Sequence, residues 1–230
     1  MTSNEPAAAP PATSWRELAV ARSLDSARVR AENRVQRFLD AALELMSDSD
    51  SGKDFTVPEV VERSGQSLRS FYQYFGGKHE LLLALFEEAV RSTAELLRER
   101  VAEEDEPLAR LRRFVVEYYR ICRPAGKRKA DKRRPSPAMA EFAQQLLTSQ
   151  PTEAARAFVP IVSLFDEILA EAVEAGAVRP DVRRRRIAGV VLEAIMFNAF
   201  STTIGGVPER GEGDPAEELW DLILNGIGTR

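Results

Sequence analysis

The sequence predicts an all-α protein. Three observations carry that expectation: apolar residues recur at spacings of three and four along most of the chain, capping residues and prolines precede these runs, and no stretch alternates with period two for the length of a strand. Roughly nine or ten helices follow, arranged as a short helix-turn-helix unit ahead of a helical C-terminal domain.

Residues 1 to 13 are rich in Ala and Pro without periodicity, which predicts a flexible tail, and Ser14 with Glu17 three positions on forms a capping box from which an extra helix starts. The clearest first helix carries Val35, Phe38, Leu39, Ala42, Leu45 and Met46 on one face, and "SDSDSGKD" ends it. Thr56, Pro58 and Glu59 then open a short helix with Val57, Val60 and Val61 inward, which must stop near Gly65. Ser67 caps a second short helix reaching about Phe75, where Gly76 and Gly77 break it. A long helix begins at Lys78, with Leu81, Leu82, Leu85, Phe86, Ala89 and Val90 as its stripe.

Further on, Leu108, Leu111, Phe114, Val115 and Tyr118 share one side of a helix, "GKRKADKRRPSP" is a charged loop, and Met139, Phe142, Leu146 and Leu147 mark a shorter helix. Phe158, Val162, Phe165, Leu169 and Ala172 mark the next, with Pro160 either in its first turn or at a kink. Asp181 caps a helix through Ile187, Val190, Val191, Ala194 and Ile195 to about Ile204. Asp214, Pro215 and Glu217 start a last one carrying Leu219, Trp220, Ile223 and Leu224.

Composition narrows the function. With 44% apolar and 30% charged residues over 230 positions, the chain is an ordinary soluble globular protein with a sizeable core. One cysteine, Cys122, excludes an intrachain disulfide, and with the single histidine, His79, leaves no set of metal ligands; Cys122 is expected to be a core thiol. No catalytic constellation or nucleotide loop is present, so neither an enzyme nor a cofactor is expected. The N-terminus lacks a secretory signal, and "IAGVVLEAIMFNAF" is interrupted by Glu193 and Asn198 and too short for a bilayer, so a cytoplasmic protein without membrane contact is expected. The net charge of −4 disfavours nucleic-acid affinity over the whole surface, yet from Arg63 to His79 there are three basic residues and no acid.

Within that basic stretch "SFYQYF" packs four aromatic residues into a two-turn helix. Phe71 and Phe75, four apart, are expected to bury on Val60, Val61 and the first long helix. Ser67, Arg69, Ser70, Tyr72, Gln73 and Tyr74 are left outward, with Leu68 either touching a thymine methyl or partly buried. Arginine suits guanine, glutamine suits adenine, and hydroxyls suit phosphates. Lys78 at a helix N-terminus is expected to hold a phosphate, while His79 beside it is expected to be solvated.

The run "SGQSLRSFYQYFGGKHELLLALF" resembles the DNA-binding signature of the tetracycline repressor (TetR) family, with Gly65, Ser67, Ser70, Phe71, Tyr72, Tyr74, Phe75, Lys78, Glu80 and Leu81 at matching positions; Gln66 and Gly77 depart from it. The resemblance covers the first amphipathic helix to the start of the fourth. It implies a helix-turn-helix domain over 31–78 and an effector-binding and dimerisation domain over 79–230, and leaves residues 1–30 as a flexible N-terminal extension or, from about 14, an extra helix. It implies DNA contacts from Thr56, Ser67, Arg69, Ser70, Tyr72, Gln73, Tyr74 and Lys78. The implied partners are a double-stranded DNA operator, a second copy of the chain, and a small apolar or amphipathic effector. The implied function is a ligand-responsive transcriptional repressor; the alternative is a helical ligand-binding or scaffold protein without DNA affinity.

Effector-pocket candidates are Phe86, Phe114, Tyr118, Phe142, Phe158, Phe165 and Phe197, although the same spacing makes them core residues. Asn198 is a polar handle for the ligand or for a dimer partner. Ile195, Phe200, Trp220, Ile223 and Leu224 supply more apolar surface than a terminal helix pair needs, and a four-helix dimer interface would use it. The basic loop Lys127, Arg128, Lys129, Lys132, Arg133 and Arg134 reads first as a solvated loop and second as a clamp for nucleic acid or coenzyme A phosphates. Arg16, Arg22, Arg28 and Arg30 suit either a helix packed on the DNA-binding domain or a basic arm reaching a groove.

Overall fold

The structure is a computed structural model that describes residues 14–48, 55–123, 137–181, 183–205 and 213–227. Its regular structure consists of α1 (Trp15–Asp48), α2 (Val57–Ser64), α3 (Leu68–Tyr74), α4 (Lys78–Val101), α5 (Pro107–Cys122), α6 (Pro137–Ser149), α7 (Pro151–Glu174), α8 (Arg184–Gly205) and α9 (Pro215–Ile227). None of the described helices is long and apolar enough to cross a membrane, and no described cluster of side chains would hold a metal. The predicted tail and the basic loop at 127–134 lie outside the described residues.

The expected extra helix and the first amphipathic helix are one element: α1 runs unbroken for 34 residues, because no glycine or proline interrupts it after Trp15. Among the described residues, its second half is the anchored one, held by Phe38, Leu39, Ala41, Ala42 and Met46. That half packs on α2 and α4, and α2 packs on α3.

The C-terminal domain is layered around α7, which touches α4, α5, α6 and α8, with α9 lying against α5. Ile161, Leu164, Phe165, Ile168, Leu169 and Ala172 fill the centre of α7's buried stripe. Pro160 sits inside α7 rather than in its first turn, and its ring nitrogen leaves the Arg156 carbonyl without the usual intrahelical donor. The turn after the helix passes through Gly176, whose φ of 74° is a left-handed position natural to glycine. In α4 the stripe differs in one respect from its sequence pattern. Ala89 is exposed and Leu83 is buried, since α4 is clasped by α1 at one end and by α5 and α7 along its length.

Ion pairs lace the domain's outer surface: Arg98 to Glu167 and Arg156 to Glu87 join α4 to α7, and Arg110 to Glu171 joins α5 to α7. The guanidinium of Arg112 grips Glu217 of α9 through two bonds of 3.0 and 2.6 Å. Arg120 donates to Asp214 at 2.6 Å, and the same carboxylate accepts the N–H of Ala216 at the start of α9. That arginine holds the Asp214 carboxyl below its ordinary range.

Candidate nucleic-acid interface

Local chemistry fixes both short helices. The Thr56 N–H and hydroxyl both donate to the Glu59 carboxylate, at 2.7 and 2.8 Å, closing the start of α2. Gly65 turns the chain at φ 65°, and the following Gln66 N–H is satisfied by the Val61 carbonyl at 3.3 Å, so the polar residue at 66 leaves this turn intact. The Ser67 hydroxyl accepts the Ser70 N–H at 3.1 Å and caps α3. Ser67 and Thr56 therefore serve first as caps, with the rest of their hydrogen-bonding capacity left for a ligand.

α3 is a seven-residue helix with two faces. Phe71 and Phe75 are buried, and both meet the Phe38 ring of α1 edge-on, at centroid distances of 5.5 and 6.1 Å. Outward stand Leu68, Arg69, Tyr72 and Gln73. Tyr72 is 57% exposed, with its ring braced edge-on against Phe71.

Three of the residues expected to face the duplex have surroundings that the sequence did not indicate. Ser70 is half-buried, and its hydroxyl oxygen is enclosed with no partner among the described residues, where the sequence placed it on the outer face. Tyr74 packs partly on the core, because residue 74 falls beside Phe71 and Phe75 rather than beside Tyr72. The Lys78 ammonium donates to the Phe55 carbonyl at 2.6 Å and lies 4.4 Å from the Phe55 ring centroid. It ties α4 to the segment preceding α2.

The first three residues of α4 form a junction. Lys78 reaches back to Phe55, while the Glu80 carboxylate accepts the Gly76 N–H at 2.7 Å and stabilises the turn after α3. A side chain at Gly76 would meet that carboxylate at 2.9 Å, which the flexible Glu80 side chain relieves by shifting, and Gly77 is extended and open, so neither glycine is sterically required. His79 is not simply solvated: its Nε2 lies 3.2 Å from the Glu153 carboxylate of α7, and its ring lies 5.6 Å from that of Phe142 in α6. The spacing of residues 78 to 80 gave no sign of this, since the partner is 74 positions away.

The effector candidates separate into groups. Phe86 meets Phe142 and Phe158 at 6.3 and 5.2 Å, joining α4, α6 and α7 immediately beyond His79. Phe114 meets Tyr118 and Phe165 at 5.8 and 5.0 Å, joining α5 to α7. Burial raises the Tyr118 hydroxyl well above its ordinary range and pushes the neighbouring Cys122 thiol up to about 12, which makes it the inert core thiol the sequence predicted. Gln150 Oε1 and Asp166 Oδ1 are enclosed polar atoms without a partner among the described residues, and sequence periodicity did not reveal them. Phe197 does not belong with the buried aromatics: it is 61% exposed on α8. Its neighbour Asn198 accepts the Tyr119 hydroxyl at 3.2 Å, a bond within the protomer.

The dimer candidates also divide. Ile195 and Trp220 are buried inside the protomer, so neither is open to a second copy. Ile223 and Leu224 pack partly on the core, and the Phe200 side chain lies outside the described residues. Among the described side chains, the large apolar residues that α8 and α9 turn outward are instead Val190, Phe197 and Leu222.

Residues 38–85 match the model of the N-terminal domain of bacterial regulatory proteins, tetR family. No curated protein matches the chain. Among solved structures, Thermus thermophilus FadR, a TetR family transcriptional repressor in complex with lauroyl-CoA, is similar at 24% identity. That match covers 85% of this chain and 96% of the other, with a TM-score of 0.61. The transcriptional regulator FadR from Bacillus subtilis, in complex with stearoyl-CoA, is similar at 15% identity, over 84% of this chain and 98% of that one, with a TM-score of 0.59. A TetR family transcription regulator from Marinobacter aquaeolei VT8 is 18% identical over 88% of this chain and 100% of its own, with a TM-score of 0.58. At these identities the likenesses establish the fold, which is the all-α architecture read from the sequence.

Proposed function

We propose that this chain, which carries the DNA-binding domain of the tetR family of bacterial regulatory proteins, is a ligand-responsive transcriptional repressor. The observation that carries the reading is the division of α3 between two faces. Phe71 and Phe75 anchor it to α1, while Arg69, Tyr72 and Gln73 stand in solvent with side chains suited to base edges and phosphates. The chain acts in the cytoplasm as a homodimer, with Val190, Phe197 and Leu222 of α8 and α9 at the interface. Two α3 helices about 34 to 36 Å apart would enter successive major grooves of a near-palindromic operator.

The effector is apolar or amphipathic, and an acyl-CoA thioester is the first probe to use. Two of the similar solved structures hold such a molecule, and the Phe86, Phe142 and Phe158 group offers an apolar wall. An acyl chain parting these rings would act on His79 and so on the start of α4, which carries both Lys78 and the brace of the α3 turn. Complete release of DNA requires about 5.5 kcal/mol of differential affinity for the non-binding form, shared between the two sites of a dimer. The test is fluorescence anisotropy on the duplex upstream of the protein's own gene. Saturable binding that survives competitor DNA and is reversed by lauroyl-CoA is expected; equal retention of a scrambled duplex would sink the reading.

A further inference from the structure

Among the described residues, the first half of α1 has no packing partner. From Trp15 to Arg30 every side chain that the structure describes is exposed, Leu24 at 66% among them. Most helical stability in proteins comes from packing rather than propensity, so a surface beyond the described residues is expected to hold this solvated extension.

Its charges are segregated. At about 100° per residue, Arg16, Ser23, Arg30, Asn33, Arg34 and Arg37 fall within an arc of roughly 100°, whereas Asp25 and Glu32 fall on the opposite side. Arg28, nearer the acidic side, is held by Glu32 at 2.8 Å. Arg30 and Arg34, one turn apart, repel each other with no acid between them. Residues 15 to 37 carry six arginines against three acids, in a chain whose total charge is −4. At about 1.5 Å per residue the arginine face is about 32 Å long, close to one helical turn of duplex.

We infer that the α1 extension is a second DNA-contacting element whose arginine face lies along the phosphates flanking the half-site read by α3. This rests on the DNA-binding reading above. Charge complementarity and continuity select the occupant: the same rigid helix packs through Phe38 on the buried face of α3, so the extension leaves directly from the domain that would sit on the operator. A second copy of the chain is less well matched, since the apolar positions Val20, Leu24, Ala27 and Ala31 make a narrow stripe containing two alanines.

The test uses the full chain and a duplex that it selects from a random pool, prepared with about 12 base pairs of mixed-sequence flank on each side and without flanks. The variant is Arg16→Gln, Arg30→Gln, Arg34→Gln and Arg37→Gln together; Arg22→Gln with Arg28→Gln is the control from outside the arc. On the flanked duplex the fourfold variant is expected to flatten the dependence of log K on log salt by about 0.9 per lost phosphate contact, up to roughly three or four per protomer. On the unflanked duplex its slope should equal that of the wild type. Equal slopes on both duplexes, or an equal loss in the control, would overturn the inference while leaving the function intact. A changed solution mass of the free variant with an unaltered slope would overturn it in favour of a second copy on this face. If the wild type shows no preference for the selected duplex over mixed sequence, the DNA-binding reading fails and the inference with it.

Discussion

Lys78→Met separates two roles for one residue. The sequence expects a phosphate clamp, while the structure shows an ammonium bonded to the Phe55 carbonyl at 2.6 Å and placed over the same residue's ring. Methionine keeps most of the apolar stem and removes both interactions. A hydrogen bond from a charged donor contributes about 1.5 to 3 kcal/mol, and a half-exposed cation–π contact about 0.5 to 1. Because Lys78 is only half-buried, the lower part of that range applies, a net loss of about 2 kcal/mol. In a chain of this size that is a fall in Tm of roughly 4 to 8 °C, read by circular dichroism, with faster hydrogen exchange concentrated in α2 and α3. The salt dependence of DNA binding should change little. An unaltered Tm together with a salt slope shallower by about 0.9 per protomer would show that the lysine acts as the clamp and not as the strut.

Other substitutions test the remaining parts. Arg69→Ala should relax preference at one base pair by about 1 to 3 kcal/mol, whereas Tyr72→Phe should weaken all duplexes alike, which competition with single-base variants of the selected site distinguishes. Glu153→Gln removes an exposed pair to His79, so DNA affinity without effector should stay within about fivefold of wild type. The lauroyl-CoA concentration that releases DNA should rise. Because Asp214 has its carboxyl value lowered by Arg120, the stabilisation is complete above the unfolded value of about 3.9 and is lost as pH falls below it towards the folded value. The stability of Arg120→Gln should therefore fall less steeply through that acid range in pH-dependent denaturation. Cys122 should resist iodoacetamide at pH 8 in the folded protein and react after unfolding, as counted by mass spectrometry.

What was legible in the sequence is what periodicity controls. The four-residue spacing of Phe71 and Phe75 assigned the buried face of α3, and the Thr56 and Ser67 start signals placed both short helices to within a residue. Ser70 and Tyr74 are half-buried where the sequence placed them on the outer face, because a two-turn helix offers too few residues for a spacing rule to settle its flanks, and there the packing of α1 decides. The Lys78 to Phe55 and His79 to Glu153 contacts join positions 23 and 74 residues apart, which only the assembled fold brings together. Ile195 and Trp220 show a different limit. An apolar residue on a terminal helix looks the same in sequence whether it faces its own core or a partner, and only burial separates these two from Phe197 and Leu222.

The central claim is that the outer face of α3 reads a two-fold operator, and selection from a random duplex pool by the full chain tests it most directly. The account predicts enrichment of an inverted repeat with half-sites about one helical turn apart, and loss of that enrichment in the combined Arg69→Ala, Tyr72→Ala and Gln73→Ala variant. Enrichment of the same sequences by the variant, or no inverted repeat from the wild type, would contradict it.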